Sequence, residues 1–315
     1  MMSYEVYRMN RIDQFAAAID SLDGFICFDT REDRSFNALR TLGDRSCLLD
    51  TIVISFDEIC TTAISKIIPG QDMSVSSLKV DKDLSSSILP CLREIDKYVL
   101  CKTSVGIDIS CMPIPFIAQL LHFLLDRHRE KTITVYYTEP AHYTLKKLFD
   151  FSAYSGEIDI RTVPGFEGET SHIDEVKRIV FYLMGFEMTY LNKLIPQDVN
   201  PNKIAPINGF PSYYPKYKDI SLINNNANFY QRDIEIIYSE ANNPFETYNT
   251  LVMLADKYKG YGIDIIPAGT KPMALGACLY ALKNVNNSCR IIFPFPSEYE
   301  PNQSMGCGNL WEYKL

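Results

Sequence analysis

Residues 106–143, GIDISCMPIPFIAQLLHFLLDRHREKTITVYYTEPAHY, and residues 262–299, GIDIIPAGTKPMALGACLYALKNVNNSCRIIFPFPSEY, are two copies of one pattern. Both open on Gly-Ile-Asp-Ile, pass through a Pro-containing turn into an apolar helix-like stretch, and close on an apolar strand. That strand ends with Pro140 and Tyr143 in the first copy and with Pro296 and Tyr299 in the second. Seven of the 38 positions are identical, so the weight falls on matching element order at a constant offset of 156. Upstream the offset holds to within a residue: SLKVDKDLSSSILPCLREIDKYV aligns with RDIEIIYSEANNPFETYNTLVMLADKY, and Glu32, Asn37 and Leu39 fall opposite Glu187, Asn192 and Leu194. A repeat on this scale sets the architecture before any single motif does. The chain reads as one unit written twice.

Each copy alternates short apolar runs with helical periodicity, which predicts βα units and a parallel sheet flanked by helices. In the first copy strands are expected near 24–29, 51–56, 76–80, 103–109 and 132–138, with helices near 32–42, 86–98 and 113–128. In the second, strands are expected near 178–184, 204–209, 233–238, 261–266 and 289–295, with helices near 186–195, 244–258 and 271–283. The fold class is therefore α/β: two tandem Rossmann-like lobes with mainly parallel sheets, related by a pseudo-twofold axis. The lobes divide as 1–163 and 164–315, with the seam in the Gly- and acid-rich PGFEGETSHIDE of residues 164–175. Residues 196–232 hold five Pro, several Tyr and the run Asn224, Asn225, Asn226 with little periodicity. They read as a long irregular connection, either functional or packing its own aromatics. The stretch around residues 57–75 is its polar counterpart in the first copy.

Charge bounds the partners. With 31 Lys+Arg against 39 Asp+Glu, a net charge of −8 and a pI near 5.1, the overall field argues against gripping long nucleic acid or an anionic membrane. A local basic pocket for a small phosphorylated ligand stays open. The nine cysteines lie mostly in apolar runs such as LDGFICF, without a C-x-x-C, and read as reduced core thiols. The four histidines never pair at i, i+4, so no metal ion is expected, and no cofactor either. Without a signal-peptide pattern or an apolar stretch of the ~20 residues a span needs, the expected location is cytoplasmic. The strings of a P-loop NTPase, a dinucleotide enzyme and an α/β-hydrolase are all missing.

In an open parallel sheet, ligands gather outside the carboxyl ends of the strands. The second copy offers Pro267-Ala268-Gly269-Thr270-Lys271-Pro272 there. Gly269 allows close backbone approach, Thr270 suits a helix N-cap, and the helix start with the Lys271 ammonium makes an anion site. The plainer alternative is a capped helix start with Lys271 in water. After the first strand of the first copy comes DTREDRS, where Arg31 and Arg34 have the fork geometry for phosphate or belong to a plain charged helix start. In GFPSYYPKYKD, Tyr213, Tyr214 and Tyr217 beside Lys216 and Lys218 suit stacking on a base, and packing of the loop explains them equally.

The string IDIIPAGTKPMALGA resembles the strand-turn-helix motif of CARF sensor domains (CRISPR-associated Rossmann fold), to which the two-lobed SAVED domains are related. The resemblance implies binding of a nucleotide or cyclic oligonucleotide at a twofold interface of two lobes. It places Gly269, Thr270 and Lys271 on the ligand phosphate, with Asp264 on the strand before them. The second copy has Pro267-Ala268 where the family commonly has Thr or Ser and a second Gly, and the first copy's turn, Ser110 to Pro115, has neither Gly nor Lys. The function implied is a sensor subunit of a prokaryotic antiviral defence system that signals to a separate effector protein. Two other readings fit the same residues: an enzyme cleaving a nucleotide messenger, and a structural subunit with degenerate sites.

Overall fold

Apolar runs become strands wherever both faces can be covered. The computed structural model describes residues 8–12, 22–43, 50–57, 74–82, 84, 88–144, 154–168, 177–187, 203–229, 234–284, 288–299 and 303–315. All but the first two residues of the helix expected near 186–195, the seam beyond residue 168 and residues 58–73 lie outside them. In chain order the strands are β1 (Arg8–Ile12), β2 (Gly24–Asp29), β3 (Asp50–Ser55), β4 (Ser74–Lys79), β5 (Ser104–Asp108), β6 (Thr132–Tyr143) and β7 (Tyr154–Thr162). Then come β8 (Arg178–Leu183), β9 (Ile204–Gly209), β10 (Ile237–Ser239), β11 (Gly262–Pro267), β12 (Cys289–Tyr299) and β13 (Ser304–Lys314). The helices are α1 (Asn37–Gly43), α2 (Leu89–Leu100), α3 (Ile114–Arg127), α4 (Pro215–Phe229), α5 (Pro244–Lys257) and α6 (Lys271–Lys283).

The two sheets repeat one topology. The first runs β1-β13-β6-β5-β2-β3-β4 and the second β10-β9-β8-β11-β12-β7. The core β6-β5-β2-β3-β4 and its counterpart β12-β11-β8-β9-β10 have the same order with every pair parallel. This is the doubly wound, Rossmann-like α/β arrangement, twice. β9 and β11 are buried along their whole length, as parallel strands covered on both faces must be. α3 is buried all round from Ile114 to Leu121 and α6 from Pro272 to Ala281, so both helices are covered on every side over most of their length. The GIDI copies are not paired alike. Asp108 lies opposite Tyr136, but Asp264 lies opposite Arg290 rather than Ile292, a slide of two residues that keeps each side chain on its face.

The strands that end each copy are exchanged. β7 follows β6 in the chain yet pairs antiparallel with β12, and β13 follows β12 yet pairs antiparallel with β6. Two compact units result, one of Met1–Lys82, Ser87–Thr144 and Pro301–Leu315, the other of Asp83–Ser86 and Leu145–Glu300. Their composition differs from a single cut at 163/164, because strand pairing and not chain order decides membership. The stretch read as a long irregular connection contains α4. Among the described residues no helix is long and apolar enough to cross a membrane.

The seven described cysteines are thiols: Cys27, Cys91, Cys111, Cys278 and Cys289 are buried, and Cys101 and Cys307 are exposed. Burial pushes the Cys91, Cys278 and Cys289 thiols up to about 12, and Cys27 is raised by the same cause, so none of these four forms thiolate near neutrality. Partial desolvation raises Cys307 as well. Among these seven, iodoacetamide at mildly alkaline pH is expected to label Cys101 first and Cys307 more slowly, and to spare the five buried thiols. Peptide mass mapping reads the order, and labelling of Cys278 in the folded chain would contradict it.

Candidate functional site

At the carboxyl end of the second sheet the turns after β8 and β11 touch. A Cβ on Gly185 would collide with the Ala268 carbonyl oxygen, so only glycine lets the two turns close on one another. The bare side of Gly269 faces Met273 Sδ and the Met184 carbonyl, at 3.2 and 3.3 Å from where a Cβ would stand. Thr270 caps α6 from an extended backbone (φ −67°, ψ 158°), its Oγ1 accepting from the Met273 N–H at 3.4 Å. The same hydroxyl donates to the Ala241 carbonyl, and the Tyr213 hydroxyl donates to that carbonyl too, at 3.1 Å. One backbone oxygen thus ties together the turns that follow β9, β10 and β11.

Three helices begin at this end, because each follows a parallel strand: α4, α5 and α6. Their first turns carry Pro215, Pro244 and Pro272, and those of α4 and α6 hold no acid, only Lys216, Lys218 and Lys271. Asn243 caps α5 by accepting from Phe245 N–H at 3.1 Å and Glu246 N–H at 3.2 Å. The positive ends of three helix dipoles lie at this end, with Lys216, Lys218 and Lys271 in the first turns of α4 and α6, while α5 carries Glu246 in its own and Lys218 pairs with Asp219 at 3.4 Å.

The asparagine run of α4 has an inward task. Asn225 Nδ2 and Ser221 Oγ donate to the Gly185 carbonyl at 3.0 and 3.2 Å, and Asn224 Nδ2 donates to the Phe186 carbonyl at 2.6 Å. The Tyr182 hydroxyl donates to Asn225 Oδ1 at 3.0 Å. These bonds hold the β8 turn in place, as buried carbonyls require. Of the three tyrosines, Tyr217 is buried edge-on between Phe186 and Tyr214, Tyr213 spends its hydroxyl on Ala241, and Tyr214 is exposed. Sequence reasoning missed Phe210 and Tyr238, both exposed at this end. Phe210 had one signal, an aromatic directly after a strand end. Tyr238 had none.

Asp264 does not join Gly269, Thr270 and Lys271. It lies in the first half of β11 and takes Arg178 Nη2 and Nε at 2.6 and 2.9 Å and Arg290 Nε and Nη2 at 2.8 and 2.9 Å. Arg178 opens β8 and lies over Gly262, where a Cβ would strike its guanidinium. A buried carboxylate between two guanidinium groups is a structural anchor.

Arg31 and Arg34 belong to the first unit, in the turn after β2. Arg34 is buried and donates to Ser304 Oγ (2.9 Å), the Thr138 carbonyl (3.1 Å) and Glu32 Oε2 (2.9 Å). Ser304 Oγ also bonds Glu32. Arg31 is the opposite case: its backbone is left-handed (φ 64°), and its side chain, 73% exposed, pairs with Asp57 at 3.2 Å. The turn after β5 fills itself. Ser110 N–H and Oγ–H donate to Asp108 Oδ1 at 2.9 and 2.5 Å, while Ser110 Oγ accepts from Thr138 N–H at 2.7 Å. Among the described residues no group of three His, Cys, Asp or Glu side chains is placed to hold a metal ion.

No protein-family model matches the chain, and no curated protein matches it. Among solved structures, one similar chain is a universal stress protein from Archaeoglobus fulgidus DSM 4304, at 11% identity and a TM-score of 0.24, covering 86% of this chain and 95% of that one.

Proposed function

We propose that the second unit binds a nucleotide or cyclic oligonucleotide at the carboxyl ends of β9, β10 and β11, with Gly269, Thr270 and Lys271 at a phosphate. The observation that carries this reading is the pair of hydroxyls, Tyr213 and Thr270, meeting on the Ala241 carbonyl beside the starts of α4 and α6. It joins three strand ends, with Lys216, Lys218 and Lys271 in the first turns of α4 and α6 and with Glu240, beside Ala241, accepting from the Asn243 side chain. The resemblance of IDIIPAGTKPMALGA to CARF sensor domains supports the wider role: a sensor subunit in prokaryotic antiviral defence whose occupancy is read by a separate effector protein. Arg31, at the tip of a strand-end turn in the first unit, remains a candidate phosphate contact. Arg34 and Asp264 serve the fold.

Losing a charge-assisted hydrogen bond to phosphate costs about 1.5–3 kcal/mol, roughly ten- to hundredfold in affinity, so Lys271→Ala weakens binding by that factor. Pro115→Ala, in the first unit's turn, leaves binding unchanged. A ligand raises thermal stability in proportion to how well it binds, so thermal shifts over a panel of cyclic and linear oligonucleotides read both variants. Equal shifts in wild type and a folded Lys271→Ala would refute the phosphate turn. Separating the products after incubation tells a sensor from an enzyme that cleaves its messenger.

A further inference from the structure

Two aromatic rings stand open at the carboxyl end of the second sheet. Phe210 directly follows β9 and is 50% exposed; Tyr238 lies on β10 and is 48% exposed. The register pairs Tyr238 with Asn208, two residues before Phe210, so both side chains leave the same face. Their rings meet edge to face, with centroids 6.0 Å apart and planes at 72°. Lys218 Nζ stands 5.4 Å from the centre of the Phe210 ring and 3.4 Å from Asp219. The segment after β9 is tied to the end of β10 and the turn beyond it, Phe210 N–H donating to the Ser239 carbonyl at 2.7 Å and Ala241 N–H to the Pro211 carbonyl at 3.1 Å. A corner of two rings held this firmly is pre-organised, so little ordering is left to a ligand.

The neighbours say what fits. Lys216 and Lys218 begin α4, and Ala241, whose N–H fixes the Phe210–Pro211 loop, is the residue whose carbonyl takes Tyr213 and Thr270. A planar group for the rings and a negative charge for the lysines together describe a nucleotide. Stacking on aromatic side chains accepts any base, because every base has a π face. Resting on the reading of the Lys271 turn given above, we infer that Phe210 and Tyr238, with Lys218 at their side, form a stacking platform for a base of the nucleotide whose phosphate lies at that turn.

The experiment uses the full chain and three probes: adenosine 5′-monophosphate, cyclic diadenylate and, as the base-free control, pyrophosphate. Isothermal titration of the double variant Phe210→Leu/Tyr238→Leu, which keeps apolar bulk and removes the rings, is expected to weaken both adenylates roughly five- to hundredfold. Pyrophosphate binding stays unchanged in that variant, whereas Lys271→Ala weakens all three probes. Adenylate binding left intact in the folded double variant overturns the platform while the turn stands. Loss in the double variant with no effect of Lys271→Ala overturns the turn and keeps a base site. No binding of any probe to the wild-type chain overturns both. A concentration-dependent mass that the double variant abolishes overturns the platform in favour of a contact between copies.

Discussion

Deleting residues 303–315 leaves the first unit unfolded and the second folded. β13 is interior to its sheet, paired with β1 on one side and β6 on the other, so its loss opens two ladders at once. It carries Leu310 and Tyr313 into the core, each worth about 1.5–3 kcal/mol of burial. It also serves buried polar groups of β6 and the β2 turn. Glu139 accepts from Trp311 Nε1 at 2.6 Å and from Asn309 Nδ2 at 2.9 Å, and Arg34 donates to Ser304. A domain holds only about 5–15 kcal/mol in total, and these losses together exceed what it can spare. Hydrogen exchange by mass spectrometry is expected to find peptides from 24–29 and 104–138 unprotected in the truncated chain, with peptides from 178–183 and 262–283 protected as before. Protection retained over 104–138 would show that β13 is dispensable.

Arg34→Met costs about 3–5 kcal/mol, because removing one member of a buried pair strands the other, here Glu32 with a side chain 4% exposed. Arg31→Met, three residues earlier, stays within about 0.5 kcal/mol, since an exposed pair in water contributes little. Chemical denaturation midpoints separate the two. Arg34→Lys keeps the charge but not the fork that reaches Ser304, Thr138 and Glu32 together, so it restores only part of the loss. Glu32→Gln/Arg34→Met falls short of the sum of the single changes, because both act on one network. An Arg34→Met chain as stable as wild type would mean that the network adds nothing.

The repeat made much of the parallel cores legible from sequence: both GIDI strands and the helices after them stand where periodicity puts them, while the strand expected near 233–238 is only Ile237–Ser239. What escaped depends on partners distant in the chain. β13, SMGCGNLWEYK, has Gly at 306 and 308 and no clean alternation, and its partner β6 lies in the other copy. α4 was hidden by Pro215 and by asparagines that look like a loop until Gly185 and Phe186 are seen to need their amides. Asp264 was expected on the strand before the Gly269 turn as part of a ligand site, but its partners Arg178 and Arg290 lie 86 and 26 residues away, a spacing that carries no signal. The Lys271 turn was legible because N-cap, proline and lysine are all local.

The exchanged strands set a timetable for the chain as it leaves the ribosome. The second unit has β7 in hand long before β12 is made, so its sheet closes once residue 299 is available. The first unit is spoken first and finished last: about 160 residues separate the end of β6 from the start of β13, roughly 8–30 s of synthesis at about 5–20 residues per second. Through that interval β6 offers an open edge to any other strand in reach, the hazard that native sheets ordinarily cover. A nascent chain of this design depends on rapid elongation or on a holding chaperone, and slow codons placed between β6 and β13 translate directly into aggregated product.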